Sequence, residues 1–208
     1  MKKNLFVLAA IAITISACHS ESDKTHEGHD TAARVTDSTT HIMTTDDKEV
    51  KAVPVAFTSL DPTAAASIRE IVNHYLHIKN ALANDNAGEA AIGAKAMSEA
   101  MKKLDKSLLS PEQKTAYDKT ADDLEEHAEH IAKNGDKIDH QRSHFSMMSE
   151  DVYDLVKNFG AGRPLYHDHC PMAKDNQGAM WMSENKEIKN PYFGNKMPTC
   201  GTVEEVIR

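Results

Sequence analysis

Between Asp61 and Phe159 the apolar residues recur at intervals of three and four, in runs separated by short polar breaks. This is the period of an α-helix with one buried face. The first run carries Ile68, Ile71, Val72, Tyr75, Ile78 and Leu82, and it opens at Asp61-Pro62, an N-cap residue followed by proline at the first helical position. Asn84-Asp85-Asn86 interrupts it. A second helix is predicted over about 87–106, with Ala90, Ala94, Met97, Met101 and Leu104 on one face. Ser110-Pro111-Glu112-Gln113 reads as a capping box opening a third helix, which Asn134-Gly135 ends. A fourth runs from about Asp136 through Phe145, Met148, Val152 and Leu155 to Phe159, where Gly160-Ala161-Gly162 stops it. Four amphipathic helices on short turns predict an all-α protein, an antiparallel up-and-down four-helix bundle. Its length, about 100 residues, suffices for one modest core.

The pattern changes at both ends. Residues 161–208 hold four prolines, irregularly spaced apolar positions, the single Trp and two cysteines. They predict an ordered, mostly non-helical segment packed on the bundle as loops or a small β element. At the other end, Lys2 and Lys3 precede an apolar run from Leu5 to Ile15, followed by Ser16-Ala17-Cys18. That run is too short to span a bilayer and has the layout of a secretory signal. Ile15-Ser16-Ala17-Cys18 resembles a bacterial lipobox, which makes Cys18 the lipidated residue and places the protein in the bacterial envelope, anchored to a membrane, the outer membrane foremost. Residues 18–58 are polar, with His26, His29, His41 and Met43, and predict a flexible tether. The expected organisation is therefore a signal over 1–17, a tether over 18–58 and a domain over 59–208, divided at about 160 into bundle and C-terminal segment.

An extracytoplasmic address bears on the chemistry of that segment. Cys170-Pro171-Met172 and Met197-Pro198-Thr199-Cys200 each set a thiol near a thioether beside a stiffening proline. Soft sulfur donors favour Cu(I), and thioether adds little to a zinc site. His167 and His169 alternate with Asp168 and Cys170, so a strand presents both imidazoles on one side; Met180 and Met182 flank Trp181 in the same way. Cys170, Met172, Met197, Cys200, His167 and His169 are thus the candidate metal ligands, with copper as the expected ion and zinc or silver as alternatives. Outside the cytoplasm the same two cysteines are equally suited to a disulfide, and the spacing leaves both readings open. On the helices, His127 and His130 are three apart and His140 and His144 four apart; each pair shares a helical face and can chelate a metal, or simply face solvent beside Glu125, Glu126 and Glu129.

Composition removes other classes. The formal net charge of −8 becomes about −10 without Lys2 and Lys3, which suits neither DNA nor RNA. The bundle lacks the Glu-x-x-His pairs of di-iron proteins, and the chain has no His-Glu-x-x-His, no phosphate loop and no Cys-x-x-Cys. No enzymatic activity is expected.

Tyr166 to Ala173, Gly178-Ala179-Met180-Trp181-Met182-Ser183, Ile188 to Gly194, Met197 and Cys200-Gly201 together closely resemble the DUF3347 family, as do Gln141-Arg142 and Phe145 in the fourth helix. The resemblance extends over about residues 65–206. It implies small envelope lipoproteins or C-terminal domains of CusB-type heavy-metal efflux adaptors, and hence copper or silver handling. By position it points to Cys170, Met172, Met197 and Cys200 as ligands, with His167 or His169 as further ones. The expected function is Cu(I) buffering or transfer to an efflux system, with a CusB-type adaptor or another copper protein as partner. The alternative is a non-catalytic adaptor module with a structural Cys170–Cys200 disulfide.

Overall fold

The computed structural model describes residues 50–208. The expected signal, Cys18 and the histidines of the expected tether lie outside the described residues. The helices are α1 (Pro62–Ala83), α2 (Ala87–Lys103), α3 (Pro111–Lys133) and α4 (Ile138–Phe159), and the strands are β1 (Lys51–Val53), β2 (Leu165–Cys170), β3 (Ala179–Ser183) and β4 (Thr202–Ile207). Each helix packs mainly on its sequence neighbour, and α4 returns to α1. Short connections make that arrangement natural, because a chain that reverses within a few residues lays the next helix antiparallel on the last. None of the described helices is long and apolar enough to cross a membrane.

The starts of α1 and α3 follow from their caps. The Asp61 carboxylate accepts the backbone N–H groups of Thr63 and Ala64 at 2.7 and 3.1 Å. At α3, Ser110 Oγ accepts the Gln113 N–H at 3.2 Å, and Gln113 Oε1 accepts the Ser110 N–H at 2.9 Å. Gln113 Nε2 also donates to the Ser59 carbonyl at 2.8 Å, so this cap ties the chain ahead of α1 to the bundle. Ser110→Ala should lower stability by about 1 kcal/mol, read as a lower urea midpoint at unchanged slope. A shift below about 0.3 kcal/mol would mean that solvent satisfies the freed N–H equally well.

The all-α expectation needs correction. Four strands form one mixed sheet in the order β1-β4-β2-β3. β2 is antiparallel to both β3 and β4, while β1 runs parallel to β4, pairing Lys51 with Glu205 and Val53 with Ile207. Residues 51–57, counted with the expected tether, are part of the folded domain: β1 begins at Lys51, and the Ala56 and Phe57 N–H groups donate to the α4 carbonyls of Lys157 and Asn158. Periodicity over a local window cannot reveal a strand whose partner lies at the other end of the chain.

One hydrophobic core unites bundle and sheet: Ile71, Tyr75, Leu124, Phe145 and Met148 pack in the same cluster as Leu165, Cys170, Trp181 and Met182. Tyr75 joins three elements. Its hydroxyl pairs with Ser149 Oγ of α4 at 2.8 Å and accepts the Met182 N–H of β3 at 3.0 Å. Arg142 of α4 clamps the C-terminal segment, donating to the Pro191 carbonyl at 2.8 Å, the Leu82 carbonyl at 3.0 Å and Asp85 Oδ1 at 2.6 Å. Asp85 accepts also from the Asn195 N–H at 3.0 Å, and these partners, Arg142 first, hold its carboxyl below the usual range. Gly194 sits against Asp85 and Arg142 with φ +52°, a place and a conformation that both exclude a side chain.

Candidate functional site

The six ligand candidates of the C-terminal segment fall into three places. Cys170 ends β2 and is fully buried; Cys200 precedes β4 and is half-buried; the two form a disulfide with a Cα–Cα distance of 5.8 Å. The loop before Cys200 is shaped by Asn190, whose Nδ2 donates to the Cys200 carbonyl at 2.7 Å and whose Oδ1 accepts the N–H groups of Tyr192 and Phe193. This explains Asn190-Pro191-Tyr192-Phe193-Gly194 as packing: a buried amide organises the turn, and the Tyr192 hydroxyl donates to the Met180 carbonyl at 2.5 Å.

Met172 and Met197 line one open pocket with Arg142, Tyr192 and Phe193. Met172 is 47% exposed. The disulfide accounts for the approach, because it pins together chain segments that carry a methionine two positions after one cysteine and three before the other.

His167 and His169 do share the side of β2 expected from their alternation, and both turn to β4. Their Nδ1 atoms lie 3.6 and 3.5 Å from the two oxygens of Glu204, and His167 Nδ1 is 4.0 Å from Glu205. Met180 stands opposite His169, and Met182 opposite His167. Burial lowers the His167 pKa, against the pull of Glu204 and Glu205. The His169 ring covers Gly178, whose φ of +86° and contact with that ring leave no room for a Cβ. The two glutamates were not among the sequence candidates; the β2–β4 register brings them in.

Asp168, between the two histidines, points the other way and is buried among Lys79, Trp181 and Glu184. Burial pushes its carboxyl up to about 8, only partly opposed by the Lys79 ammonium. The Trp181 indole N–H lies near enough to favour the charged form but falls short of hydrogen-bond geometry, and both carboxyl oxygens are without a partner among the described residues. Lys79 itself, 1% exposed, pairs with Glu184 at 3.0 Å.

The helical histidine pairs meet. α3 and α4 form an antiparallel hairpin, and His127 and His130 of the one face His140 and His144 of the other. The His130 and His144 rings stack with centroids 4.2 Å apart, His140 lies 4.6 Å from His144, and His127 Nδ1 is 3.3 Å from His144 Nδ1. Partial burial and the three neighbouring imidazoles drive His144 down to about 4, and burial lowers His127 as well. Each pair was legible as a helical face; their convergence follows from the hairpin register.

Residues 71–163 match a family model described as a protein of unknown function (DUF3347). The match begins within α1 and ends before β2, so it takes in the histidine cluster and leaves out the sulfur segment. No curated protein and no solved structure matches the chain.

Proposed function

For this chain, which belongs to the DUF3347 family through residues 71–163, we propose copper handling at the bacterial envelope: Cu(I) is held by the C-terminal segment and passed to an efflux system. The observation that carries this reading is the pair Met172, exposed, and Met197, half-buried, distant in sequence and lining one open pocket. Two thioethers lining one open pocket select Cu(I) or Ag(I) over zinc, since hard and borderline ions gain little from thioether sulfur. A dithiol donating two electrons and two protons opens Cys170–Cys200 to two thiols, and their deprotonation adds thiolate donors two and three positions along the chain from the methionines. His167 and His169, already shared by Glu204, supply imidazole on the neighbouring face. Lipidation at Cys18 keeps the domain near an envelope efflux partner, a CusB-type adaptor or another copper protein.

The test is Cu(I) titration of the purified chain against a competing chromophore, anaerobically, with the disulfide intact and after reduction. Met172→Leu with Met197→Leu should weaken binding at least about tenfold in both states, about 1.4 kcal/mol for two lost soft ligands. Cys170→Ser with Cys200→Ser should abolish only the extra affinity gained on reduction. Affinity indifferent to both pairs would sink this reading.

A second reading, a non-catalytic adaptor module, is favoured by the disulfide together with the Arg142 and Asn190 clamps, which fix the segment's surface rather than leave it adaptable. In that case copper leaves the melting temperature unchanged while reduction lowers it.

A further inference from the structure

We infer that the α3–α4 hairpin carries a second metal site, separate from the sulfur segment, in which His130, His140 and His144 bind a divalent late transition metal and His127 completes the set. One ring nitrogen from each of His130, His140 and His144 lies within 4.8 Å of the others. A tetrahedral ion with metal–nitrogen bonds of about 2.0–2.1 Å holds its ligand nitrogens roughly 3.3 Å apart. The His127 Nδ1 to His144 Nδ1 distance, 3.3 Å, already has that value. The remaining distances need ring rotations of about an ångström or so, which His140 at the surface and the half-buried His130 and His144 are free to make.

The arrangement is unlike a solvated helical face. On such a face histidines turn to neighbouring carboxylates, as His77 does toward Glu89 at 3.0 Å. Here four rings turn toward one another, and the nearest carboxylate contact is His130 Nε2 to Glu126 at 3.9 Å. Crowded imidazoles disfavour protonation of any one of them, and the neutral form is the one that ligates a metal. The spacing is rigidly supplied: three and four residues on one helix turn, two helices locked side by side by Leu124, Ile131, Phe145 and Met148 in the core.

The donor set defines the ion. Imidazole alone, without thiolate or thioether, suits Cu(II), Zn(II) and Ni(II), and the order of stabilities places Cu(II) tightest. The site therefore differs in chemistry from the Cu(I) reading of the methionine pocket and stands whether or not that reading holds.

The experiment uses the purified chain with its disulfide intact, titrated separately with Cu(II) and Zn(II) against a competing chelator, with electron paramagnetic resonance of the Cu(II) form. One ion per chain is expected at this site, with hyperfine coupling to at least three nitrogens. Loss of an outer-shell partner alone weakens metal sites about 10–100-fold, so His144→Gln should cost at least about a hundredfold. His140→Gln, at an exposed position, provides the same test without touching the core, and His77→Gln, a helical histidine outside the cluster, should leave Cu(II) affinity unchanged. Cu(II) binding that persists at full strength in His140→Gln and His130→Gln, or a spectrum without three-nitrogen coupling, overturns the proposal. Any Cu(II) held by histidines upstream of the described residues persists in all three variants, so the hairpin site is read as the one equivalent of bound Cu(II) that the substitutions remove, and a stoichiometry they leave unchanged counts against it.

Discussion

Reduction of Cys170–Cys200, or its replacement by paired serines, is expected to lower the stability of the domain by roughly 3–4 kcal/mol. The bond closes a loop with a sequence separation of 30. Chain-entropy accounting for a loop of that length gives a cost to the unfolded state of this size. For a domain of about this length each kcal/mol moves the melting temperature by about 2–4 °C, so the loss should read as roughly 7–14 °C. The effect should be uneven. Cys170 is buried at the end of β2 and Cys200 leads into β4, so amides of those strands should lose exchange protection first. The α1–α4 core also packs through Ile71, Leu124 and Met148 on the helices themselves, and should stay protected until global unfolding. The reduced wild type and the serine pair should melt together. If the reduced protein is clearly the more stable of the two, the free thiols have found partners that serine cannot replace.

The helices were open to sequence reading because their determinants are local. Asp61-Pro62 and Ser110-Pro111 mark starts at Pro62 and Pro111, and Asn84 and Asn134 mark ends at Ala83 and Lys133. The second helix ends at Lys103 rather than near 106, because Leu104 turns extended to bury its side chain and a short 3₁₀ turn follows. The C-terminal segment was expected as loops or a small β element, and alternation put His167 and His169 on one side of any strand that formed there, as β2 does. What escaped is non-local. β1 pairs with β4 across the whole domain, Glu204 meets the β2 histidines through strand register, and the four-imidazole cluster depends on how α3 docks on α4. Met172 and Met197 likewise come to line one pocket only once the disulfide is drawn, and two open readings of the cysteines had left that undecided. Asp168 was not among the candidates. The same alternation that turns His167 and His169 toward Glu204 sends it inward, where it is fully buried.

That inward turn has a measurable cost at high pH. Asp168 has an ordinary value of 3.8 and is pushed up to about 8 by burial in the fold. Below pH 3.8 folded and unfolded chains both hold the proton, and the group contributes no pH dependence. Between the two values only the folded state holds it, so each pH unit upward costs about 1.4 kcal/mol at the limit. Above about 8 both states are ionised and the penalty is constant. The value of about 8 already includes the opposing pull of Lys79, which itself pairs with Glu184, so the loss across the window reaches about 5–6 kcal/mol at the limit. Asp168→Asn keeps the shape and removes the charge. Its stability relative to wild type should therefore rise steadily from pH 4 to 8 and then level off, when urea midpoints of both proteins are measured at each pH. Every other titrating group is common to the two chains and cancels in the difference, and a constant offset from the new amide carries no weight. Only the slope reports Asp168. A difference that stays flat from pH 4 to 9 would mean that Asp168 is ionised in the fold at neutral pH, with Lys79 as its counter-ion, and that the buried pair, not a neutral acid, holds β2 against the bundle.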